Sequence, residues 1–199
     1  MKLKDFKKKM VKKVFTATEA HILGFTESPA IINLQLHQWK KSGDLIGLKR
    51  GLYMFSDYRP QKAAIAKELY SPCYFSLEYV LSLYGIIPEA VFAYTLVTPK
   101  TTRHFKTSEG VFSYRKIKRE AFVGFDQETL MAEKEKALVD YFYMNSAKLQ
   151  PNDVFWEESR LEAKATEINF KRVFMYAKLF SSKKLNILLT SFYNYAKSH

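Results

Sequence analysis

The 199-residue chain has a formal net charge of +12, from 32 Lys+Arg against 20 Asp+Glu. Its apolar content of 47% is enough for a packed core, which excludes disordered, collagen-like and low-complexity classes. The single cysteine, Cys73, excludes an internal disulfide and a thiolate zinc module, and it favours a reducing cytoplasm. All apolar stretches are shorter than the roughly 20 residues of a membrane helix, so no membrane partner is expected.

Positive charge is concentrated near the start of the chain. Residues 1–59 contain 12 Lys+Arg and 5 Asp+Glu, whereas residues 60–199 contain 20 and 15. Turn-forming residues at 56–60 separate the two segments, so we predict a domain boundary between Arg59 and Pro60. The charge excess favours nucleic acid as the partner, although an acidic protein would be attracted too.

The first segment has the pattern of three helices. Apolar residues at three- and four-residue steps predict a helix over residues 3–14. A second helix is expected from a cap at Thr18 to residue 23, ended by Gly24 in the left-handed conformation. Ser28 followed by proline predicts the start of a third helix, over residues 29–42, which Gly43 stops.

A β-hairpin is predicted after the third helix. Residues 45–49 and 52–55 read as two short strands joined by a tight turn at Arg50 and Gly51. The order of two helices, a turn, a third helix and a hairpin is typical of a winged helix-turn-helix. Such a module places its third helix in the major groove of DNA and its hairpin against the backbone.

The third helix has one apolar and one polar face. Ile32, Leu36 and Trp39 are expected to be buried, which leaves the opposite face for DNA. Its candidate contact residues are Ala30, Asn33, His37, Gln38, Lys40 and Lys41. Asn and Gln can pair with adenine, and lysine can reach guanine or phosphate. Leu34, on the flank, would need a thymine methyl or a neighbouring domain. The alternative is a plain solvated face.

Other cations of this segment suit phosphate contacts. Lys49 and Arg50 at the hairpin tip can bind phosphates without reading sequence. The lysines that would add non-specific affinity are Lys2, Lys4, Lys7, Lys8, Lys9, Lys12 and Lys13. The alternative for both groups is that they only improve solubility.

The second segment mixes helices and strands. Helices are predicted over residues 61–69, 76–85, 129–143, 156–165, 170–180 and 184–196, the second of them capped by Ser76 and the third by Thr129. Strands are predicted over residues 91–98, 103–106, 111–117 and 122–125. The fold class is therefore α+β, with a small, mostly antiparallel sheet and a helical C-terminal part.

A known family matches the order of several short motifs. They are the hairpin residues 51–53, residues 74–79 running on to 84–89, residues 95–98, residues 103–107 with 110–112, and residues 135–140. In this order and spacing the chain resembles the AbiEi-type antitoxins of bacterial type IV toxin–antitoxin systems. The resemblance covers residues 14–143 and is weaker after Pro151.

The resemblance implies a winged-helix domain over residues 1–59 and an antitoxin-like α+β domain over 60–199. It further implies a repressor of its own operon that neutralises a nucleotidyltransferase-type toxin. We therefore expect double-stranded DNA of its own promoter, an inverted or direct repeat, as the first partner, bound by a homodimer. The toxin is the second partner. No cofactor or metal is expected, and we predict that the protein is not an enzyme.

Two alternatives stay open. A metal-dependent nuclease would use the carboxylates Asp126, Glu128, Glu133, Glu135 and Asp140, although helical spacing favours solvated ion pairs for them. A regulator without a toxin would sense a ligand in its second domain. A second basic patch on one sheet face is also predicted, for phosphate or an acidic toxin: Arg103, His104, Lys106, Arg115, Lys116, Lys118 and Arg119. Its alternative role is to discourage edge pairing.

Overall fold

The computed structural model describes residues 1–24, 27–159, 161–162 and 168–198. The chain divides into two compact units, one of Met1–Ser71 with Phe105–Val111 and the other of Pro72–His104 with Phe112–His199. The predicted α+β class is confirmed by helices and two small sheets. The domain boundary expected after Arg59 stays a prediction. No described helix has the length and apolar character needed to cross a membrane.

The first unit combines helices with a three-stranded antiparallel sheet. Its elements are α1 (Leu3–Lys9), β1 (Val14–Thr16), α2 (Ala17–Leu23), α3 (Pro29–Lys41), β2 (Leu45–Lys49), β3 (Leu52–Phe55) and α4 (Lys62–Leu69). The strand order is β1-β3-β2, with Tyr53 paired to Phe15 on one side and to Gly47 on the other. The predicted hairpin is thus confirmed, and a strand that the sequence analysis missed completes the sheet.

The predicted first helix is too long. It ends at Lys9, and Val14 begins β1 instead of continuing the helical face. Phe6 and Met10 are still buried, so the three- and four-residue steps identified inward side chains correctly. Val14 and Phe15 favour a strand, and pairing with β3 overrides the helical periodicity.

The second helix begins and ends differently from the prediction. Thr16, not Thr18, caps it, because the Thr16 hydroxyl accepts from the Glu19 N–H and the Glu19 carboxylate accepts from the Thr16 N–H. Gly24 has a φ of −84°, so it is not left-handed. The absence of a side chain at Gly24 allows close packing instead, since a Cβ there would lie 2.5 Å from Ile32 Cδ1.

The core of the first unit joins all its elements up to β3. Its buried members are Phe6, Met10, Phe15, Ala20, Ile32, Leu36, Leu45 and Phe55. The Phe6 and Phe15 rings meet edge to face with centroids 5.3 Å apart. This cluster holds α3 by one face only.

The second unit surrounds a four-stranded sheet with helices. Its elements are β4 (Tyr74–Phe75), α5 (Leu77–Leu83), β5 (Tyr94–Thr98), β6 (Arg103–Thr107), β7 (Gly110–Lys116), a 3-10 turn (Arg119–Ala121), α6 (Lys134–Met144), α7 (Asp153–Glu158), α8 (Phe170–Lys178) and α9 (Lys183–Ser198). Residues 105–111, at the tip of β6 and β7, are grouped with the first unit. The order is β4-β5-β7-β6; β4 and β5 are antiparallel, whereas β5 and β7 are parallel.

Several predicted elements of this unit differ from the structure. The strand over 122–125 is absent among the described residues, and Phe125 forms only an isolated bridge with Ala132. Thr129 caps no helix, because its N–H and hydroxyl both donate to Asp126, and α6 begins after Glu133. The helix predicted over 156–165 is misplaced, because α7 begins at Asp153 and ends at Glu158, and the described residues 159 and 161–162 are not helical. Residues 160 and 163–165 of that prediction lie outside the described part. Helices α4, α5, α8 and α9 are confirmed.

Candidate nucleic-acid interface

Local sequence determines the ends of α3. The Ser28 hydroxyl accepts from the Ile31 N–H at 3.4 Å, and Pro29 occupies the first helical position. The chain leaves the helix at Ser42 and turns through Gly43, whose φ is +82°. Both predicted ends of this helix are confirmed.

One side of α3 is buried and the other is open. Ile32 and Leu36 are buried in the core and Trp39 is half-buried against it, as predicted. The exposed residues are Pro29, Ala30, Ile31, Asn33, Leu34, His37, Gln38, Lys40 and Lys41. The predicted contact residues of α3 therefore share one accessible face, and their contact with DNA stays a prediction.

Two rows of side chains run along this face at four-residue steps. One consists of Asn33, His37 and Lys41, and the other of Ala30, Leu34 and Gln38. Along the first row, Asn33 has an amide, His37 an imidazole and Lys41 an ammonium group. The second begins apolar and ends with an amide. The face can therefore donate and accept hydrogen bonds and also make apolar contacts.

His21 on α2 contacts the exposed face of α3, which sequence reasoning missed. Its Nε2 lies 2.9 Å from Asn33 Oδ1. Because an amide oxygen only accepts, Nε2 donates in this contact. The bond orients the Asn33 amide and links α2 to α3. This contact could not be predicted from the sequence, because only the packing of α2 against α3 brings the two residues together.

Lys40 and Lys41, at the end of α3, differ in how closely their side chains pack against the rest of the protein. The Lys40 stem crosses β2, so that its Cε lies 3.1 Å from the position of a Cβ on Gly47. Lys41 is exposed, and neither lysine has a carboxylate partner among the described residues. Lys40 therefore packs along the hairpin while Lys41 remains available to a phosphate.

Lys49 and Arg50, the two cations of the hairpin, also differ in their contacts. Lys49 Nζ donates to the Leu69 carbonyl at 2.5 Å and lies 5.0 Å from the centre of the Phe105 ring. Burial lowers the pKa of the Lys49 ammonium, although Glu68 opposes this shift. Arg50 is exposed next to Gly51, whose φ is +75°. Arg50 thus meets the expectation for a phosphate contact better than Lys49, whose ammonium would first have to leave Leu69.

The N-terminal lysines divide into paired and exposed members. Lys7 forms an ion pair with Asp57 at 2.8 Å, and Lys12 contacts Glu19 and Glu68 at 2.7 and 3.3 Å. The remaining members, Lys2, Lys4, Lys8, Lys9 and Lys13, are exposed. Most of this charge therefore remains on the surface of the first unit.

The second basic patch does not form a single face. On β6, His104 and Lys106 lie on one side of the strand and Arg103 lies on the other. On β7, Arg115 and Lys116 also lie on opposite sides. Lys118 Nζ donates to the Phe180 carbonyl at 2.5 Å, and Arg119 lies in the 3-10 turn. Neighbouring residues of a strand point to opposite sides, so these cations divide between two sides, and their contact with phosphate or a toxin stays a prediction.

Four of the five carboxylates of the nuclease alternative, those of Asp126, Glu133, Glu135 and Asp140, each accept hydrogen bonds from separate groups. Asp126 accepts from Glu128 and Thr129, which lowers its pKa, mainly through the Thr129 N–H. Glu133 accepts from Arg172 and Tyr176, and Glu135 accepts from the Asn169 N–H. Within the described ranges, no group of three metal-ligating side chains is found. The geometry does not favour a metal-dependent nuclease.

The solvated ion pairs expected for the carboxylates of residues 133–140 are also wrong. Glu135 is 4% exposed, while Lys136 and Asp140 have no exposed surface. Lys136 donates to Asp140, whose other oxygen accepts from the hydroxyls of Tyr74 and Ser76 at 2.9 and 2.8 Å. Ser76 therefore does not cap α5. One sequence feature could have indicated burial: Lys136 and Asp140 have opposite charges four residues apart, and the residues between them, Ala137, Leu138 and Val139, are all apolar.

Burial dominates the electrostatics of this cluster. Loss of hydration raises the pKa of the Asp140 carboxyl and lowers that of the Lys136 ammonium, and their mutual attraction opposes both shifts. The pKa of the Tyr74 hydroxyl is raised by burial and by Asp140. Without access to solvent, the cluster can position α6 against β4 but cannot reach a substrate.

The chain matches no protein-family model and no curated protein sequence.

Proposed function

We propose that the protein is a DNA-binding transcriptional repressor and antitoxin-like protein of the cytoplasm. In this proposal residues 1–59 act as a winged helix-turn-helix, and β2 and β3 form the wing. The bound DNA is the protein's own promoter, and a homodimer binds a repeat in it. Residues 60–199 neutralise a nucleotidyltransferase-type toxin.

The observation that carries the DNA-binding part is the shared accessibility of α3 and the hairpin turn. α3 buries Ile32 and Leu36, and it exposes a face that bears Asn33, His37 and Lys41. Arg50 is exposed at the turn of the hairpin that follows it. A recognition helix with a cationic wing requires such an arrangement, because base edges are read from one helix face while phosphates are bound beside it.

Charge supports the same assignment. The α3 face contains no acidic side chain, and its last turn contains Lys40 and Lys41. The segment 1–59 also has the higher density of positive charge. Cations that neutralise phosphates release counterions from DNA, which gives affinity without sequence preference.

The antitoxin part rests on the resemblance and on one structural observation. The motif segments 74–79 and 135–140, far apart in sequence, meet in the buried cluster of Tyr74, Ser76, Lys136 and Asp140. Two of the segments that carry the resemblance thus meet in the interior of the second unit. This contact supports the antitoxin-like domain, and the toxin-binding surface is left to experiment.

The DNA-binding part is tested with the full chain and duplex DNA from its own upstream region. Fluorescence anisotropy at several salt concentrations should give a binding constant that falls steeply with salt. Arg50→Glu should weaken binding to every duplex and flatten the salt slope by roughly 1 for each phosphate that is no longer neutralised. Lys49→Glu should change the slope less, because the Lys49 ammonium is held by Leu69.

Lys184→Glu provides a matched control for charge. Lys184 is exposed on α9 in the second unit, and its substitution changes the net charge by the same amount. It should leave the slope unchanged. An unchanged slope for Arg50→Glu, or an equal effect of Lys184→Glu, would reject the wing contact. Failure to bind any duplex would reject the proposed function.

The antitoxin part is tested by co-expression with a nucleotidyltransferase encoded next to the gene. The wild-type chain should restore growth and repress its promoter. Asn33→Ala with His37→Ala should relieve repression and still restore growth, because both side chains lie on α3. Loss of growth rescue in this variant would contradict the assignment of separate functions to the two segments.

A further inference from the structure

The exposed face of α3 contains more apolar surface than a solvated helix needs. Leu34 is 57% exposed and Ile31 is 47% exposed. At about 100° per residue, Leu34 lies within roughly 20° of the pole opposite the buried stripe. Ala30 precedes it by one turn on the same row. A large apolar side chain at the centre of an otherwise polar face indicates an apolar contact made there.

The polar residues of the face favour one kind of base pair. Asn33, in the first half of the helix, has an amide, which can pair bidentately with the N6 and N7 atoms of adenine. Guanine is read most often by arginine, and α3 contains none. Its two lysines are in the last turn, whereas the first turns of a recognition helix contact base edges. Guanine readers are therefore missing where the bases would be met.

We propose that α3 reads a half-site rich in A·T pairs, with Asn33 on an adenine and Leu34 on a thymine methyl. This inference rests on the proposed function, because it names the DNA sequence class for the same surface. Adenine and the thymine methyl project into the major groove from the two strands of one A·T pair. The amide of Asn33 and the apolar side chain of Leu34 thus suit the two parts of A·T pairs.

His21 is a positioning residue in this recognition. Its bond to Asn33 Oδ1 fixes which side of the amide donates and which accepts. Adenine needs both, because its N6 donates and its N7 accepts. His21→Ala should therefore reduce the preference for adenine at one position while leaving the salt slope unchanged. His21→Gln, which keeps an N–H donor, should retain more of the preference.

The inference is tested by selecting duplexes from a random-sequence library with the full chain. Enriched duplexes should share a run of A·T pairs. Replacing one contacted thymine by deoxyuridine, which lacks the methyl, should weaken binding about fourfold for the one buried methyl. Replacing the A·T pair read by Asn33 with G·C should weaken it roughly 5- to 150-fold.

Variants connect these preferences to named side chains. Leu34→Ala should bind thymine and deoxyuridine duplexes alike, and Asn33→Ala should lose the adenine preference. Leu83→Ala is the matched control, because Leu83 is 60% exposed and lies on α5 of the second unit. It should keep the wild-type discrimination.

The possible failures are distinguishable. Salt-dependent binding with enriched G·C pairs, or with no common sequence, would overturn the A·T inference and leave the DNA-binding function intact. A deoxyuridine penalty that persists in Leu34→Ala would also overturn it. Absence of binding to all duplexes would overturn the inference together with the function on which it rests. A Leu34→Ala defect in toxin neutralisation alone would assign the apolar row to protein contact and contradict the inference.

Discussion

The buried ion pair of the second unit is a sensitive test of how this fold is held together. Asp140→Ala removes the acceptor of three groups: the Lys136 ammonium and the hydroxyls of Tyr74 and Ser76. Lys136 and Asp140 have no exposed surface. The ammonium left behind would therefore be a charge with neither water nor a counterion.

The expected loss follows from these hydrogen bonds. Removing one member of a buried ion pair costs about 3–5 kcal/mol, because the partner remains buried and unpaired. A buried hydroxyl without an acceptor costs roughly 1–3 kcal/mol. The three groups share one network, so their costs overlap instead of adding. We expect the free energy of unfolding of the second unit to fall by about 3–5 kcal/mol.

The assay is urea unfolding followed by tryptophan fluorescence. The chain has 2 tryptophans, Trp39 in the first unit and Trp156 in the second. A Trp39→Phe background leaves Trp156 as the only reporter; it is buried and donates to the Ser191 hydroxyl at 2.8 Å. Its emission should therefore follow the unfolding of the second unit.

Two controls distinguish the charge from the missing volume. Lys136→Met with Asp140→Leu removes both charges and fills the space, so it should recover the part of the stability that the unpaired ammonium costs, while the Tyr74 and Ser76 hydroxyls still lack their acceptor. Arg172→Ala removes the partner of Glu133 in an exposed ion pair of the same unit and should leave the unfolding midpoint near the wild-type value. A loss below about 1 kcal/mol in Asp140→Ala would refute the reasoning, because the pair would then behave like a surface pair.

Two further predictions concern pH and packing. Burial raises the pKa of Asp140, and Lys136 is the strongest group opposing that rise. In Lys136→Met the folded state should keep the Asp140 proton to higher pH than the unfolded chain, so stability falls as pH rises through that interval. Urea midpoints should drop more steeply from mildly acidic to neutral pH than in the wild type, and parallel profiles would contradict this. Gly24→Ala places a Cβ 2.5 Å from Ile32 Cδ1, so it should destabilise the first unit by about 1–3 kcal/mol, and an unchanged thermal midpoint would show that Ile32 can move away.

Sequence patterns predicted best where neighbouring residues decide the structure. The cap at Ser28, the proline after it and Gly43 identified α3, and Gly51 identified the hairpin turn. Apolar spacing also identified the buried side of α3 correctly. These features depend on backbone geometry and helical periodicity, which short stretches of chain express without help from distant residues.

Predictions failed where distant segments compete for the same residues. Val14 continues a helical pattern, yet it pairs with Met54 in the sheet. Lys136 and Asp140 have the spacing of a solvated ion pair, yet Tyr74 and Ser76 donate to Asp140 in the interior. In each case the partner lies in a distant part of the chain, and local pattern contains no record of it.

The sequence by itself therefore determined the α+β class, the helix α3, the hairpin after it and which α3 residues are exposed. Only the tertiary structure decided that His21 orients Asn33, that Lys49 is held by Leu69 while Arg50 is not, and that Lys136 and Asp140 are buried together. The physical reason is the separation along the chain of the residues that interact. Caps, turns and amphipathic faces arise from interactions over a few residues, whereas hydrogen-bond partners and burial of charge depend on which remote surfaces pack together.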